Sequence, residues 1–391
     1  MSESARDVLN TPVKTVLPEL SVARLDSHPL NRRGPRANPA DFSISLRARF
    51  GTDQQLHRPG TRRQSMRGFE DHYADIVDYI VRATHRAWEE RDIGYVYDFY
   101  GHACVVRDEG GMVFGRDRVI ENSIGLMAAF PNMRWLPGEV VWSGDDEVGF
   151  HTSHRGLFVG TNTGWSAFGP PTGRRCQFWA MANCVVIANE IVEEWVIENT
   201  ATMAQQLGLD RRALAAAAPP DPAARFGGGE PTRLLGQGKP ARMPPHEGPF
   251  DPEDHVRRLL HLVWNWRMVG MASEFLAPNV RAFGPSGRTI VGLGDYQAQV
   301  LARLAMFPDL ALSVDDLYWM GNEAEGFMVA ARWTMAGTHR GHGIYGPPTG
   351  RAVRLWGISH FDIRGGRVVE EWTMFNEFSV MRQIYGAEPD T

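Results

Sequence analysis

Apolar residues recur at helical spacing over residues 70–94, at Tyr73, Ile76, Ile80, Ala83 and Ala87, which predicts an amphipathic helix. The same pattern returns after Asp251-Pro252-Glu253, with Val256, Leu259, Leu260, Val263 and Trp264 as the stripe. There Asp251 is placed to cap the helix and Pro252 to open it. A second helical stretch is expected near 116–130 and again near 294–307. Each is followed by Phe-Pro and then by three or four short runs with turn signals between them, which read as strands. Helices first and an antiparallel meander afterwards is an α+β layout.

The pattern occurs twice because the chain is a duplication. The hexapeptide GPPTGR begins at Gly169 and again at Gly346, an offset of 177. The same offset carries Trp142 onto Trp319, Arg155 onto Arg332, Trp179 onto Trp356, Glu193-Glu194-Trp195 onto Glu370-Glu371-Trp372, and Asn199 onto Asn376. With one residue of adjustment Trp88 maps to Trp264. Two similar domains are therefore expected, over 66–210 and 251–391. Between them, 211–250 is rich in Pro and Gly and has no apolar period, so it reads as a linker. Residues 1–65 read as an arm without a core of its own, either disordered or packed on a partner subunit. GPPTGR itself reads as a turn: Pro fixes φ, Gly takes the left-handed position, and nothing in it titrates near neutral pH.

Composition narrows the function classes. A charge of −5 gives no basic footprint for nucleic acid or for an anionic membrane. No run of 18 apolar residues is present, and the opening MSESARDVLNTPVK lacks a signal-peptide layout. Cys104, Cys176 and Cys184 are an odd number with no C-x-x-C pair, so neither a disulfide framework nor a zinc knuckle is expected, and a cytoplasmic setting is. His339 and His342 lack the carboxylates that would complete a metal set and read either as a pocket mouth or as an exposed hairpin tip.

In order along each copy, the words MFPDLALSVDDL, VAARWTMAGTHRG, GPPTGR and RGGRVVEEWTMFNEFSVMRQIYG, with AAFPNMRW and NEIVEEWVIENTATMAQQLG in copy 1, resemble the SnoaL-like polyketide cyclases of the NTF2-like superfamily. The resemblance covers about 70–210 and 251–387. It implies two tandem cone-shaped α+β barrels, helices packed on a curved, mostly antiparallel sheet, each with a pocket inside and acid–base chemistry without a cofactor. It also implies an intrachain pseudo-dimer packed through the sheets, on which a homo-oligomer is built. One position departs from the family. The pattern W-x-x-x-D, whose Asp is the usual acid/base, ends in Asn199 and Asn376 here. Either the base has moved, or the sites only bind.

A replacement is sought on the last hairpin. Alternation puts Glu370, Trp372, Met374 and Asn376 on one face, and the resemblance turns that face to the pocket. A two-residue turn needs positive φ at both central residues. Gly365-Gly366 allows it, but Ala188-Asn189 in copy 1 fits poorly. A three-residue bulged loop is therefore expected, and it sets His360 opposite Glu370. The candidate catalytic set is Glu370, His360 and Asn376, with Glu193 and Asn199 in copy 1. The candidate substrate-binding set is Trp356, Trp372, Trp179, Trp195, Asn183, Trp264, Trp88, Tyr345, His154 and Arg332. His151, Asp98 and His102 are further candidates in copy 1. The opposing reading makes the Glu a structural partner of Arg332 or Arg155 and the tryptophans core filling.

Copy 2, which alone pairs His with Glu, is expected to carry the better-equipped site. The leading function is a cofactor-independent acid–base enzyme, whether cyclase, retro-aldol lyase, dehydratase or isomerase, acting on a small carbonyl-containing or ring substrate. The rivals are a non-catalytic binding or scaffolding protein and an epoxide-type hydrolase.

Overall fold

The computed structural model describes residues 61–108, 110–220, 243–244 and 246–387. Residues 1–60 of the expected arm and most of the expected linker lie outside the described residues. Copy 1 runs α1 (Ile76–Trp88), β1 (Tyr100–Asp108), β2 (Gly111–Phe114), α2 (Arg116–Ala129), β3 (Arg134–Asp145), β4 (Gly149–Thr161), β5 (Arg175–Ile187), β6 (Glu190–Ile197), α3 (Thr200–Gln206) and α4 (Arg211–Ala217). Copy 2 runs α5 (Pro252–Leu260), β7 (Leu276–Phe283), β8 (Thr289–Val291), α6 (Leu293–Met306), β9 (Ala311–Asn322), β10 (Gly326–Thr338), β11 (Ala352–Arg364), β12 (Arg367–Phe375) and α7 (Glu377–Tyr385). Each copy folds as a cone-shaped α+β barrel.

The helices start where the sequence places them. Asp75 caps α1 by accepting from the Asp78 amide at 2.8 Å, and Asp251 caps α5 by accepting from the Glu253 amide at 2.9 Å, with Pro252 in the first turn. Each sheet has six strands, in the orders β2-β1-β6-β5-β4-β3 and β8-β7-β12-β11-β10-β9. The meander β3 to β6 is antiparallel, while β1 pairs parallel with β6 and closes the curved wall. Strands β1 and β2 were not read as strands in the sequence. Their alternation is short and is broken by a register shift between Tyr100 and Val105.

Two expectations are corrected. Residues 211–217 are not linker: Asp210 caps α4 through the Arg212 and Ala213 amides, and α4 packs on α7 with Ala215 fully buried in the copy 2 core. A run of alanines carries no apolar period, yet it is a strong helix former once capped. The last hairpins do not use a three-residue loop. Arg364 pairs with Arg367 and Ile187 with Glu190, so both turns are two-residue. Ala188 accepts φ of +47° because the turn is tied down from outside. Tyr79 donates to the Asn189 carbonyl at 2.7 Å and the Asn189 amide side chain donates to the Asp98 carbonyl at 3.2 Å. A bulge just beyond each turn then shifts the register again.

The two sheets pack against each other. Met181, Val185, Trp195 and Ile197 of copy 1 meet Trp356, Ile358, Trp372 and Met374 of copy 2 in one buried cluster. Trp179 and Trp372 stand edge to face at 4.8 Å, and Phe283 stacks on Trp372 at 3.9 Å. Arg155 lies 3.6 Å above Trp372, and its copy 2 equivalent Arg332 lies 3.8 Å above Trp195.

Candidate functional site

Strand alternation sends one set of side chains to the sheet–sheet interface and the other into each cone. On β4, His151, Ser153 and Arg155 contact copy 2, whereas His154 points into cone 1. On β6, Trp195 and Ile197 join the interface, and Glu194 and Val196 point inward. Glu198 follows them into the cone.

Cone 1 encloses a cavity of about 560 Å³. Tyr79 and Trp88 come from α1, Tyr100 and Asp108 from β1, Leu126 from α2, and Trp135 from β3. Gly156 shapes the wall: a Cβ there would meet the Trp135 ring at 2.2 Å, so only glycine lets that indole lie across the strand. At the rim sits Trp165, 72% exposed.

The polar groups of the cavity converge at its floor. Glu194 accepts from the Tyr100 hydroxyl at 2.6 Å, with the Cys184 thiol at 3.8 Å from its other oxygen. Burial pushes the Glu194 carboxyl up to about 7. Burial also pushes Glu198 up to about 7, with the charges of Asp108 and Glu194 adding to the effect. Asp108 is raised as well, by burial, against the amides of Gly110 and Gly111. His154 is 8% exposed; burial, and then the charge of His360 behind the sheet, bring it down to about 4. Among the described residues its Nδ1 has no hydrogen-bond partner, and neither has Trp135 Nε1. Two acids poised near neutrality therefore share the cavity wall with a neutral imidazole and the Trp135 ring.

Cone 2 is filled. At the aligned inward positions Val119 becomes Tyr296, Leu126 becomes Arg303, Gly156 becomes Trp333, Cys184 becomes Phe361 and Glu198 becomes Phe375. Trp333, Tyr296, Phe361 and Phe375 pack in one core, with the Trp333 Nε1–H donating to Ser359 at 2.9 Å. A Cβ on Gly357 would meet Trp333 at 2.3 Å, so the smallest residue makes way for the largest. The expectation that copy 2 carries the better-equipped site is thus reversed. Glu371, the partner of Glu194 by offset, is enclosed with Thr373 at 2.6 Å and the Tyr296 hydroxyl.

The proposed His360–Glu370 pair does not form. His360 stands opposite Trp372, and Glu370 opposite Asp362, because the turn and bulge together displace the register by two residues from that expected. Glu370 instead pairs with Arg281 and accepts from Trp372 Nε1 at 2.6 Å. Behind the sheet, His360 Nδ1 lies 3.2 Å from Glu139 and its Nε2 lies 2.6 Å from Ser153 Oγ, which bonds Asn183 at 2.6 Å. Glu139 is held by Arg155 and, although burial opposes it, Arg155 and His360 keep it well below the usual carboxylate range. This Glu–His–Ser chain has the connectivity of a nucleophilic triad, but Ser153 is fully buried and no member lines the cavity. It ties the two sheets together.

The stripe of Trp372, Met374 and their copy 1 equivalents Trp195 and Ile197 faces the other sheet, not a pocket, as do Trp179 and Trp356. Asn199 takes left-handed φ of +55° and accepts from Thr202 at 2.7 Å, while Asn376 caps α7 by accepting from the Ser379 amide at 2.8 Å. Both are helix-start residues, outside the cavity lining. Glu193 lies toward Arg107 at 3.4 Å, and Arg332 lies toward Asp316 at 3.9 Å on the interface side. Trp264 is buried in the filled cone, and Tyr345 donates to Glu377 at 3.1 Å. His151 faces Asp316 across the interface at 3.6 Å. His339 is fully buried, bonded to Thr349, while His342 is exposed. Of the residues singled out in the sequence, Trp88 and His154 line the cavity. Glu194, Glu198, Asp108, Tyr100 and Trp135 were missed. Glu194 and Glu198 stand one residue from Glu193 and Asn199, on the opposite face.

No curated protein matches the chain. Among solved structures it is similar to a SnoaL-like protein from Jannaschia sp. CCS1, at 21% identity over 37% of this chain and 100% of that one, with a TM-score of 0.32. It is also similar to IdmH from Streptomyces antibioticus, at 24% identity over 34% and 98%, TM-score 0.30, and to TsrD from Streptomyces laurentii, at 22% over 35% and 98%, TM-score 0.30. The family model for SnoaL-like polyketide cyclases matches residues 78–207 and again 254–384. With both cones accounted for by that one model, the chain belongs to the SnoaL-like polyketide cyclase family as a tandem duplication.

Proposed function

We propose that cone 1 is the reaction chamber of a cofactor-independent acid–base enzyme acting alpha to a carbonyl on a ring substrate, with aldol-type ring closure as its reaction. The observation that carries this is Glu198, a carboxyl raised to about 7 that no described residue hydrogen-bonds, facing a cavity large enough for a multi-ring ligand. A base with that poise takes a proton at neutral pH and gives it back in the same cycle. In the ionised form Glu198 removes the proton from the carbon beside the carbonyl. The enolate oxygen is received by neutral His154 and by the N–H of Trp135, both residues of the cavity wall. The enolate carbon attacks a second carbonyl, one C–C bond forms, and the new alkoxide takes the proton back from Glu198. Nothing is oxidised or reduced. Glu194, held by Tyr100, keeps a second carboxyl beside the first and maintains its raised affinity for the proton.

A purely binding role is favoured by the two Asn residues at the family's Asp position. An epoxide-type hydrolysis would draw on the carboxylates, but among the described residues no arginine lines the cavity to complete an Asp–Arg–Asp relay. One assay separates the catalytic reading from binding alone. The full chain is incubated in D₂O with 1-tetralone, and deuterium at the carbon alpha to the carbonyl is followed by NMR. Wild type should accelerate exchange, and Glu198→Gln should lose that acceleration by ~10²-fold or more. No acceleration by wild type, or an unchanged rate in Glu198→Gln, would sink the proposal.

A further inference from the structure

Among the described residues, the acids and the histidine lining cavity 1 are Asp108, Glu121, Glu194, Glu198 and His154, and no described lysine or arginine lines it. The nearby guanidinium groups are engaged elsewhere. Arg116 donates to the Tyr97 and Tyr100 carbonyls, and Arg118 pairs with Glu121 outside the rim. Arg107 and Arg155 lie behind the sheet on Glu193 and Glu139. Facing the acids within the cone are Tyr79 from α1, Tyr100 from β1, His154 from β4 and Cys184 from β5, none of them cationic at neutral pH. The remaining wall is aromatic, with Trp88, Trp135 and Trp165 presenting ring faces or edges to the space.

We propose that this chamber selects a ring ligand bearing a protonated amine, and rejects carboxylate- or phosphate-bearing ligands of the same shape. The proposal rests on cone 1 being the working site. Its physical basis is an enclosed space whose charges are all of one sign and whose walls are aromatic faces, the two features that attract an organic cation. An anion in the same space meets Asp108, Glu194 and Glu198, none of which is paired with a described lysine or arginine. A cation also favours the ionised forms of Glu194 and Glu198, so its binding releases protons near neutral pH.

The test uses the full chain and three probes of one shape: 1-naphthylmethylamine, 1-naphthylmethanol and 1-naphthoate, titrated by calorimetry. At pH 8 the amine should bind about tenfold or more tightly than the alcohol, and the naphthoate should not bind at 1 mM. Amine affinity should rise several-fold from pH 6 to 8, as the carboxyls that titrate near 7 ionise, and alcohol affinity should not. At pH 7 the amine's apparent binding enthalpy should change with the buffer's ionisation enthalpy. Glu194→Gln should narrow the gap between amine and alcohol. Glu121→Gln, at an exposed rim position, should narrow it less. Equal affinities of amine and alcohol, tight naphthoate binding, or no amine binding at 1 mM would overturn the proposal. The two readings fail separately. Amine selectivity without α-proton exchange leaves this inference standing and removes catalysis; exchange without selectivity does the reverse.

Discussion

Glu194→Gln tests the energetics of the cavity without any knowledge of substrate. Wild-type Glu194 is 8% exposed, and its carboxyl titrates at about 7 rather than at the ordinary 4.5 because burial disfavours the charge. The folded state therefore holds this proton across the window in which the unfolded chain has released it. Folded protein binds more protons than unfolded protein there, so stability falls as pH rises from 4.5 to 7 and stays reduced above. At ~1.4 kcal/mol per decade the penalty reaches about 3 kcal/mol, an upper figure because Glu198 titrates in the same window and shares the coupling. Glutamine keeps an acceptor for the Tyr100 hydroxyl and carries no charge. At pH 5 variant and wild type should melt together, within the cost of a rearranged hydrogen bond. At pH 8.5 the variant should be more stable by about 2–3 kcal/mol, a rise in Tm on the order of 5 °C. Scanning calorimetry at both pH values reads the difference, and titrating groups that are not coupled to Glu194 cancel in it. A gap that is the same at pH 5 and pH 8.5 would show that Glu194 is not a buried acid held near neutrality.

The remaining predictions concern single residues. Glu198→Gln should retain the wild-type fold by circular dichroism while losing ~10²–10⁴ in turnover, and a loss under tenfold would remove it as the proton carrier. Gly156→Ala should displace Trp135, whose ring lies 2.2 Å from the new Cβ, and weaken probe binding at least tenfold with the filled cone unaffected; unchanged binding would mean that Trp135 is not a wall. Trp333→Ala should cost about 3–5 kcal/mol in urea unfolding, since Trp333 is 2% exposed, and leave α-proton exchange intact. Glu139→Gln should cost about 3–5 kcal/mol by stranding buried Arg155 and His360, and a double variant with Arg155→Gln should recover part of it. A cost below 1 kcal/mol would mean that the sheets do not depend on this network.

The duplication, the helix caps and the α+β layout were legible because each is written in local pattern: an offset of 177, an Asp-Pro at a helix start, a stripe at helical spacing. Facing was not legible. Both faces of β6 and β12 carry a Glu and large apolar residues, since one face packs on another sheet and the other on a core. Alternation then gives two equally apolar stripes and no sign of which is inside. The choice fell to the turn, and the turn was misjudged by treating Ala188 as an isolated residue. In the fold its left-handed backbone is supported by Tyr79 and by the contacts of Asn189, which no local propensity carries.

A signal for the right cone was nevertheless present, in the comparison of one copy with the other. A pocket and a filled core differ by side-chain volume at inward positions, and the offset pairs those positions: Gly156 with Trp333, Val119 with Tyr296, Cys184 with Phe361. Each change is from small in copy 1 to large in copy 2, and Gly357 opposite Trp333 yields the space for it. The interface positions behave differently. Trp179 with Trp356, Trp195 with Trp372 and Arg155 with Arg332 are kept, because each sheet is the other's partner and a cavity there would weaken both. The two copies retain their shared face and diverge inside: one cone holds space and acids, the other a packed core. Asn in place of Asp in both copies fits that divergence. In copy 1 the carboxyl sits one residue earlier, at Glu198, and in copy 2 the same position carries Phe375, which completes the packing around Trp333.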